Sequence, residues 1–310
     1  MNRIYQLGTF PFKRPDSGRN HNYMEEPVIM KRILTIQDIS CLGKCSLTIA
    51  LPVISSMGVE TVILPTAVLS THTMFQGFTV KDLSDQLIPI TEHWKKENVV
   101  FDAIYTGYLG TEEEIDVVKE IIRDFSTEDT VVFVDPVMGD NGKLYPAFDE
   151  NYAAKNATLC ACADFIVPNI TEACYMTGMD YREEYDEAYI RELVTKTAGL
   201  GASVTALTGV SLSEGKTGVM GYDSRDDSWF LYQNDRIPTS YHGTGDVFSS
   251  VTVGAMMRGI SWQDSLKIAA DYTAHTIGVT MDNPKKPWYG VDFETTIPDL
   301  VTTLKQFIED

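Results

Sequence analysis

Four short strand-like runs, each halted by a polar residue, constrain this chain most. They are 32–37 (RILTIQ) before Asp38, 130–134 (TVVFV) before Asp135-Pro136, 164–167 before Pro168-Asn169, and 203–207 before Thr208-Gly209. None shows the strict apolar/polar alternation of a half-exposed strand. Continuous runs read as strands covered on both faces, which places them in a parallel sheet with helices packed above and below.

The intervening segments fit that reading. Helical spacing predicts helices over 46–57, 80–97, 244–258, 262–281 and 297–308. Another opens at Thr111, whose hydroxyl suits the cap, with Glu112, Glu113 and Glu114 in the first turn where the helix dipole favours negative charge. Runs at 60–65 and 103–106 add strands, and 217–222 with 229–233 reads as an antiparallel pair around a polar turn. The expected fold class is α/β: a central, mainly parallel sheet flanked by helices on both faces, in a single domain over 30–310. Residues 1–29 contain Arg, Lys, Pro and Asn but no apolar stretch, so they read as a loosely ordered N-terminal extension and not a secretory signal.

Open parallel sheets bind ligands beyond the carboxyl ends of their strands. The residues that stop the strands, Asp38, Asp135, Asn169 and Thr208, are therefore site candidates. The sharpest motif is Gly243-Thr244-Gly245-Asp246, followed by a helical run. Glycines let the backbone turn tightly, and the helix start then aims free N–H groups at whatever the loop holds, which suits a phosphate. A charged Asp246 beside such a loop suits phosphoryl transfer: the loop holds the transferring group and the carboxylate accepts a hydroxyl proton. An ordinary capped helix start is the plainer alternative. Asp135 and Asp140 lie in DPVMGD directly after a strand, where carboxylates can hold Mg²⁺ directly or through water; a proline-initiated turn with solvated carboxylates is the alternative. Asn169 and Glu172 in PNITE fit the same ion, or a helix cap.

Other signals point elsewhere or nowhere. Gly209 and Gly215-Lys216-Thr217 imitate a phosphate loop, but five residues separate the glycines where four are required, and a strand follows instead of a helix. His72 reads as a hydrogen-bonded structural histidine, and His242 lies next to the glycine loop. No G-x-S-x-G elbow supports a hydrolase. A formal charge of −19 disfavours nucleic acid as a partner. No apolar run is long enough for a membrane span. The five cysteines, Cys41, Cys45, Cys160, Cys162 and Cys174, match no common zinc spacing, and their odd number suggests reduced thiols in a cytoplasmic protein.

Taken together, Ile36-Gln37-Asp38, His72-Thr73, Thr106-Gly107-Tyr108-Leu109-Gly110, DPVMGD at 135–140, PNITE at 168–172, Thr208 and GTGD at 243–246 resemble the pyridoxal kinase branch of the ribokinase-like superfamily, over residues from about 30 to the end of the chain. The resemblance implies ATP-dependent phosphorylation of the 5′-hydroxymethyl group of a B6 vitamer by a homodimer. It implies Asp246 as the base and the backbone of Gly243, Thr244 and Gly245 as the anion hole. Asp135, Asp140, Asn169, Glu172 and Thr208 would serve Mg-ATP, with Asp135 and Glu172 holding Mg²⁺, through water where not directly; K⁺ is an open candidate beside it. Asp38, Thr73 and Tyr108 would line the pyridine pocket. Family members often carry Ser where Asp38 stands and a polar residue where Met74 stands, so Asp38 is expected to favour pyridoxamine, whose aminomethyl group is cationic. Two other readings compete: hydroxymethylpyrimidine kinase, whose members usually carry Cys at the position of Asp246, and a non-catalytic vitamer- or nucleotide-binding protein.

Overall fold

The computed structural model describes residues 30–309, so the expected extension over 1–29 lies outside the described residues. In chain order the elements are β1 (Arg32–Leu42), α1 (Leu47–Ser56), β2 (Glu60–Thr71), β3 (Val80–Asp82), α2 (Ser84–Lys96), β4 (Ala103–Thr106), α3 (Glu112–Phe125), β5 (Val131–Val134), β6 (Gly139–Asp140), β7 (Lys143–Leu144), α4 (Glu150–Cys160) and β8 (Phe165–Ile166). There follow α5 (Ile170–Thr177), α6 (Glu187–Ala198), β9 (Val204–Val210), β10 (Lys216–Asp223), β11 (Ser228–Asp235), α7 (Thr244–Met257), α8 (Trp262–Asp282) and α9 (Phe293–Glu309).

Nine strands form one sheet in the order β11-β10-β9-β8-β5-β4-β1-β2-β3. The inner pairs are parallel, and the antiparallel additions β3, β10 and β11 lie toward the two edges. Successive residues of the inner strands feed opposite faces. Leu34, Ile36, Ile104, Val132, Val134 and Ile166 join the core under α2, α3 and α4. Ile33, Tyr105, Phe133 and Phe165 face the other way, toward α1, α7 and α8. Both faces are thus buried, which is why the sequence shows continuous apolar runs.

From β1 the chain moves to β2 on one side; β4, β5, β8 and β9 then progress on the other. The strand order reverses between β1 and β4, so the crevice beyond their carboxyl ends is where an open sheet of this kind binds ligands. Asp38 and Gly107 flank it, with Asp135, Asn169 and Thr208 along the following strands.

Several boundaries differ from expectation for identifiable reasons. Asp38 does not end β1: an irregularity between Gln37 and Ile39 lets the strand resume pairing at Val68 and run on to Leu42. β9 likewise passes through Thr208 to Val210. Val80 starts no helix; it pairs with Leu69 in the edge strand β3, and α2 begins only after Asp82 accepts the Ser84 N–H at 2.7 Å. Asn141-Gly142, both at positive φ (51° and 75°), make the two-residue turn of a β6–β7 hairpin that the Asn-Gly pair signals. The Gly209 to Lys216 segment is a strand end and turn, as its spacing required.

Candidate active site

Gly243 caps α7 at φ 81°, and a Cβ there would lie 1.8 Å from the Lys44 carbonyl oxygen, so only glycine fits. A Cβ on Gly245 would meet nothing within 4 Å. The loop is therefore packed against the protein on one side and open on the other. No side chain caps the α7 N-terminus, which leaves its first N–H groups free for an anion. Thr244 turns its hydroxyl inward, onto the Tyr241 carbonyl at 3.1 Å.

Asp246 stands in the first turn of that helix. Burial, then the charges of Asp135 and Asp38, push its carboxyl up to about 8, against an opposing hydrogen bond from the Ser46 N–H. Asp135 is buried at the end of β5; burial raises it, while the Ser249 hydroxyl, donating at 2.7 Å, works the other way. Burial and then Asp135 raise Glu172 too, although its two oxygens accept the Met138 N–H (3.1 Å) and the Asn169 N–H (2.8 Å). Among the described residues no cationic side chain offsets any of the three. Three carboxyls raised together form a site that is stabilised by added positive charge.

Mg²⁺ would supply it. Among the described residues no group of three or more His, Cys, Asp or Glu forms a direct metal cage. The fit is to an ion that keeps most of its waters, as Mg²⁺ does, since Asp135 and Glu172 present hard oxygen donors already engaged by single hydrogen bonds.

Asn169 and Glu172 make a full capping box at the start of α5, and the Asn169 side chain also donates to the Gly139 carbonyl at 2.8 Å. The pair thus ties the strand end to the β6–β7 hairpin. Gly142 N–H completes the tie by donating to the Thr171 hydroxyl at 2.9 Å. Asp140 is exposed on that hairpin and is spent on Asn141, whose N–H and side-chain amide both donate to it. The hairpin contributes structure first and a carboxylate second.

At the crevice beyond β1, Asp38 is only 5% exposed, accepts the Ser40 hydroxyl at 3.0 Å and is raised mainly by burial. Tyr108 is half-buried against Phe148, and burial with the Asp38 charge pushes its hydroxyl up to about 12. The Asp38 charge thus reaches the hydroxyl of Tyr108. Its loop is held by Glu114, which accepts the Gly110 N–H at 2.6 Å. Thr73 is exposed at the end of β2. The buried ring beside it is His72, whose Nδ1 accepts the Met74 N–H (3.2 Å) and whose Nε2 donates to the Tyr289 carbonyl (3.1 Å), a pattern that assigns the neutral tautomer. His242 packs against it with ring centroids 4.4 Å apart.

Thr208 bridges Asn169, and its neighbour Gly209 lines a cleft of about 400 Å³ together with Asn141, Tyr181, Ser211, Thr217 and Arg236. Arg236 places an exposed cation there that sequence reading passed over, because nothing local ties 236 to 208. Ser249, Ser46 and Lys44 were also passed over. Their partners lie far off in sequence, and Ser46 sits at φ 49°, where a glycine would have been the signal.

The phosphomethylpyrimidine kinase family pattern matches residues 50–287. The chain is 25% identical to the pyridoxal kinase of Arabidopsis thaliana over 90% of both chains. A Bacteroides thetaiotaomicron protein, provisionally designated a phosphomethylpyrimidine kinase and solved with pyridoxal, superposes with a TM-score of 0.83 at 36% identity, over 88% of this chain and 96% of that one. The pyridoxal kinase of Lactobacillus plantarum superposes with a TM-score of 0.81 at 28% identity, over 90% and 99%.

Proposed function

The chain belongs to the phosphomethylpyrimidine kinase family, and from that premise we propose that it transfers the terminal phosphoryl group of ATP to the 5′-hydroxymethyl group of a B6 vitamer, giving the 5′-phosphate and ADP. The observation that carries the reading is Asp246, a carboxyl raised to about 8 and set in the first turn behind a glycine loop whose outer side is open. A base poised near the working pH can take the hydroxyl proton as the new O–P bond forms and the bond to the ADP oxygen breaks. The free N–H groups of α7 stabilise charge on the transferring phosphoryl group. Asp135 and Glu172 would hold Mg²⁺, directly or through water, and the ion would supply positive charge to the polyphosphate. Thr208, Asn169 and Asp140 line the nucleotide side, and Asp38, Tyr108 and Thr73 the ring side. Relatives named pyridoxal kinase in Arabidopsis and Lactobacillus, and a Bacteroides relative solved with pyridoxal, support the choice of vitamer.

A second reading, hydroxymethylpyrimidine phosphorylation, is favoured by the family's own description. Asp246 at the base position and Tyr108 in the ring pocket weigh against it. A homodimer and cytoplasmic placement belong to the same proposal, the first resting on the resemblance and the second on the free cysteines; K⁺ stays an open candidate beside Mg²⁺. Among the described residues no helix is long and apolar enough to cross a membrane.

The test is coupled ADP release with Mg-ATP against pyridoxal, pyridoxamine, pyridoxine and hydroxymethylpyrimidine. Turnover on the B6 vitamers supports the proposal. Turnover on the pyrimidine alone replaces it with the second reading, and a folded protein that binds ATP but turns over none of the four is a binding protein or acts on another alcohol.

A further inference from the structure

The turn between β1 and α1 touches the base and the anion loop at once. The Lys44 carbonyl packs on Gly243, where a Cβ would come within 1.8 Å of it. Gly290 also packs on this residue: a Cβ there would lie 2.4 Å from the Lys44 Cβ. The Lys44 ammonium, mostly buried, pairs with Asp292 at 3.0 Å and Glu294 at 2.7 Å. Asp292 is itself held: its N–H donates to the Thr280 hydroxyl at 2.8 Å, and Asn283 donates to its other oxygen at 2.7 Å.

Two residues beyond Lys44, Ser46 adopts φ 49° and ψ −133°. From that conformation its N–H and hydroxyl lie toward the Asp246 and Asp38 carboxyls, which they hold down against the effect of burial. A residue with a Cβ stays in such a region only where its surroundings over-determine it, and such sites cluster where function needs them. Ser46 has no helix-capping bond to account for the geometry. What fixes the turn from outside is Lys44, gripped across 248 residues of sequence by Asp292.

We propose that Lys44 is a positioning residue for phosphoryl transfer: its ion pairs with Asp292 and Glu294 lock the turn so that the Ser46 N–H stays aimed at Asp246 while the Lys44 carbonyl stays seated on Gly243. Base and anion loop are then held in register by one external clamp on the 283–294 segment. Small misplacements of a reacting group cost on the order of 100-fold in rate. The clamp should therefore act on kcat and not on substrate affinity.

The inference rests on the kinase reading, and its test separates the two. Lys44→Gln releases the clamp, and Lys44→Arg keeps charge and reach. Because Lys44→Gln strands a buried carboxylate, the double variant Lys44→Gln/Asp292→Asn, which leaves only the half-exposed Glu294 without its cation, is read beside it. The first readout needs no turnover: amide hydrogen exchange in the ligand-free protein. Both Gln variants should speed exchange in 43–48 and also in 243–248, and Lys44→Arg should restore protection. The second readout is kinetic: kcat falls at least tenfold in the Gln variants, KM for ATP and vitamer stays within about threefold, and Arg recovers most of kcat. A folded Gln variant with unchanged exchange over 243–248, or with kcat intact, overturns the proposal, as does a loss that appears in KM alone. If the wild type turns over no vitamer while the exchange pattern holds, the kinase reading fails and the clamp stands as a structural fact.

Discussion

The Ser249 hydroxyl donates to the Asp135 carboxylate across 2.7 Å, joining the second turn of α7 to the end of β5, 114 residues earlier in the chain. Among the described residues no cation assists Asp135, so this bond is what offsets its burial. Asp135, Glu172 and Asp246 all have folded values above their ordinary ones. A raised group binds its proton more tightly when folded, so its stabilising contribution is full below the unfolded value and is lost as pH climbs through the folded one. For Asp246 that window runs from 3.8 to about 8. Thermal denaturation without Mg²⁺ should therefore show Tm falling from about pH 4 to pH 8, with the slope flattened in Asp246→Asn and Asp135→Asn. Ser249→Ala should cost about 1.5–3 kcal/mol at pH 8 and less at pH 5, since a hydrogen bond to a charged group is lost. A Tm that rises steadily across that range would contradict the whole electrostatic picture. Asp223, held low by Arg225, acts in the opposite sense but only below its ordinary 3.8. His242, lowered by burial to about 4, acts in that sense too and makes the fall shallower below its ordinary 6.5.

Asp246→Asn keeps the shape of the α7 start and removes the proton acceptor. The expected loss in kcat is about 10²–10⁴-fold. KM for ATP should move by no more than about threefold, because the carboxylate meets the hydroxyl proton and not the nucleotide. Steady-state ADP release measures both. A variant that lost ATP affinity and kept kcat would make Asp246 a dipole cap and nothing more.

Asp38→Ser tests vitamer choice. Buried at the crevice and bonded by Ser40, Asp38 is raised by desolvation, and a cationic aminomethyl group would relieve it. A charge-assisted contact of about 1.5–3 kcal/mol corresponds to roughly 10–100-fold in kcat/KM. The ratio of pyridoxamine to pyridoxal should drop by that factor. An unmoved ratio would mean that Asp38 serves the turn through Ser40 and Ser46 instead of the substrate.

Much of this was readable before any coordinates, and the residues show why. The GTGD loop is legible because glycine at φ 81° and a first-turn carboxylate are local requirements. Asp135 and Asn169 are legible because buried parallel strands betray their own ends. Asn141-Gly142 is legible in the same way, since an Asn-Gly pair is itself a hairpin-turn signal. What could not be read are relations with no local trace: Lys44 with Asp292, Ser249 with Asp135, and Arg236 beside Gly209. Asp38 shows a subtler limit. It looked like a strand terminator, but a single irregularity between Gln37 and Ile39 lets the strand continue, and no sequence period records an irregularity in pairing with β2.

Arg236 offers the last test. It lines the cleft beside Gly209, one residue past Thr208, in a chain whose net charge is −19. Polyphosphate approaching so acidic a protein gains from any local cation, and the α7 N-terminus alone gives no reach over the outer phosphates. Glu183 and Glu184 line the same cleft and oppose it, and Arg236 is exposed, so its effect is modest and screened by salt. Arg236→Gln should raise KM for ATP roughly three- to tenfold at low ionic strength, with the difference shrinking toward 0.5 M salt, while kcat and vitamer KM hold. Inhibition by ADP should weaken by the same factor and binding of adenosine should not change, since adenosine carries no phosphate. Equal weakening of ADP and adenosine would assign Arg236 to the base, and no change in either would leave the cleft outside the nucleotide's path.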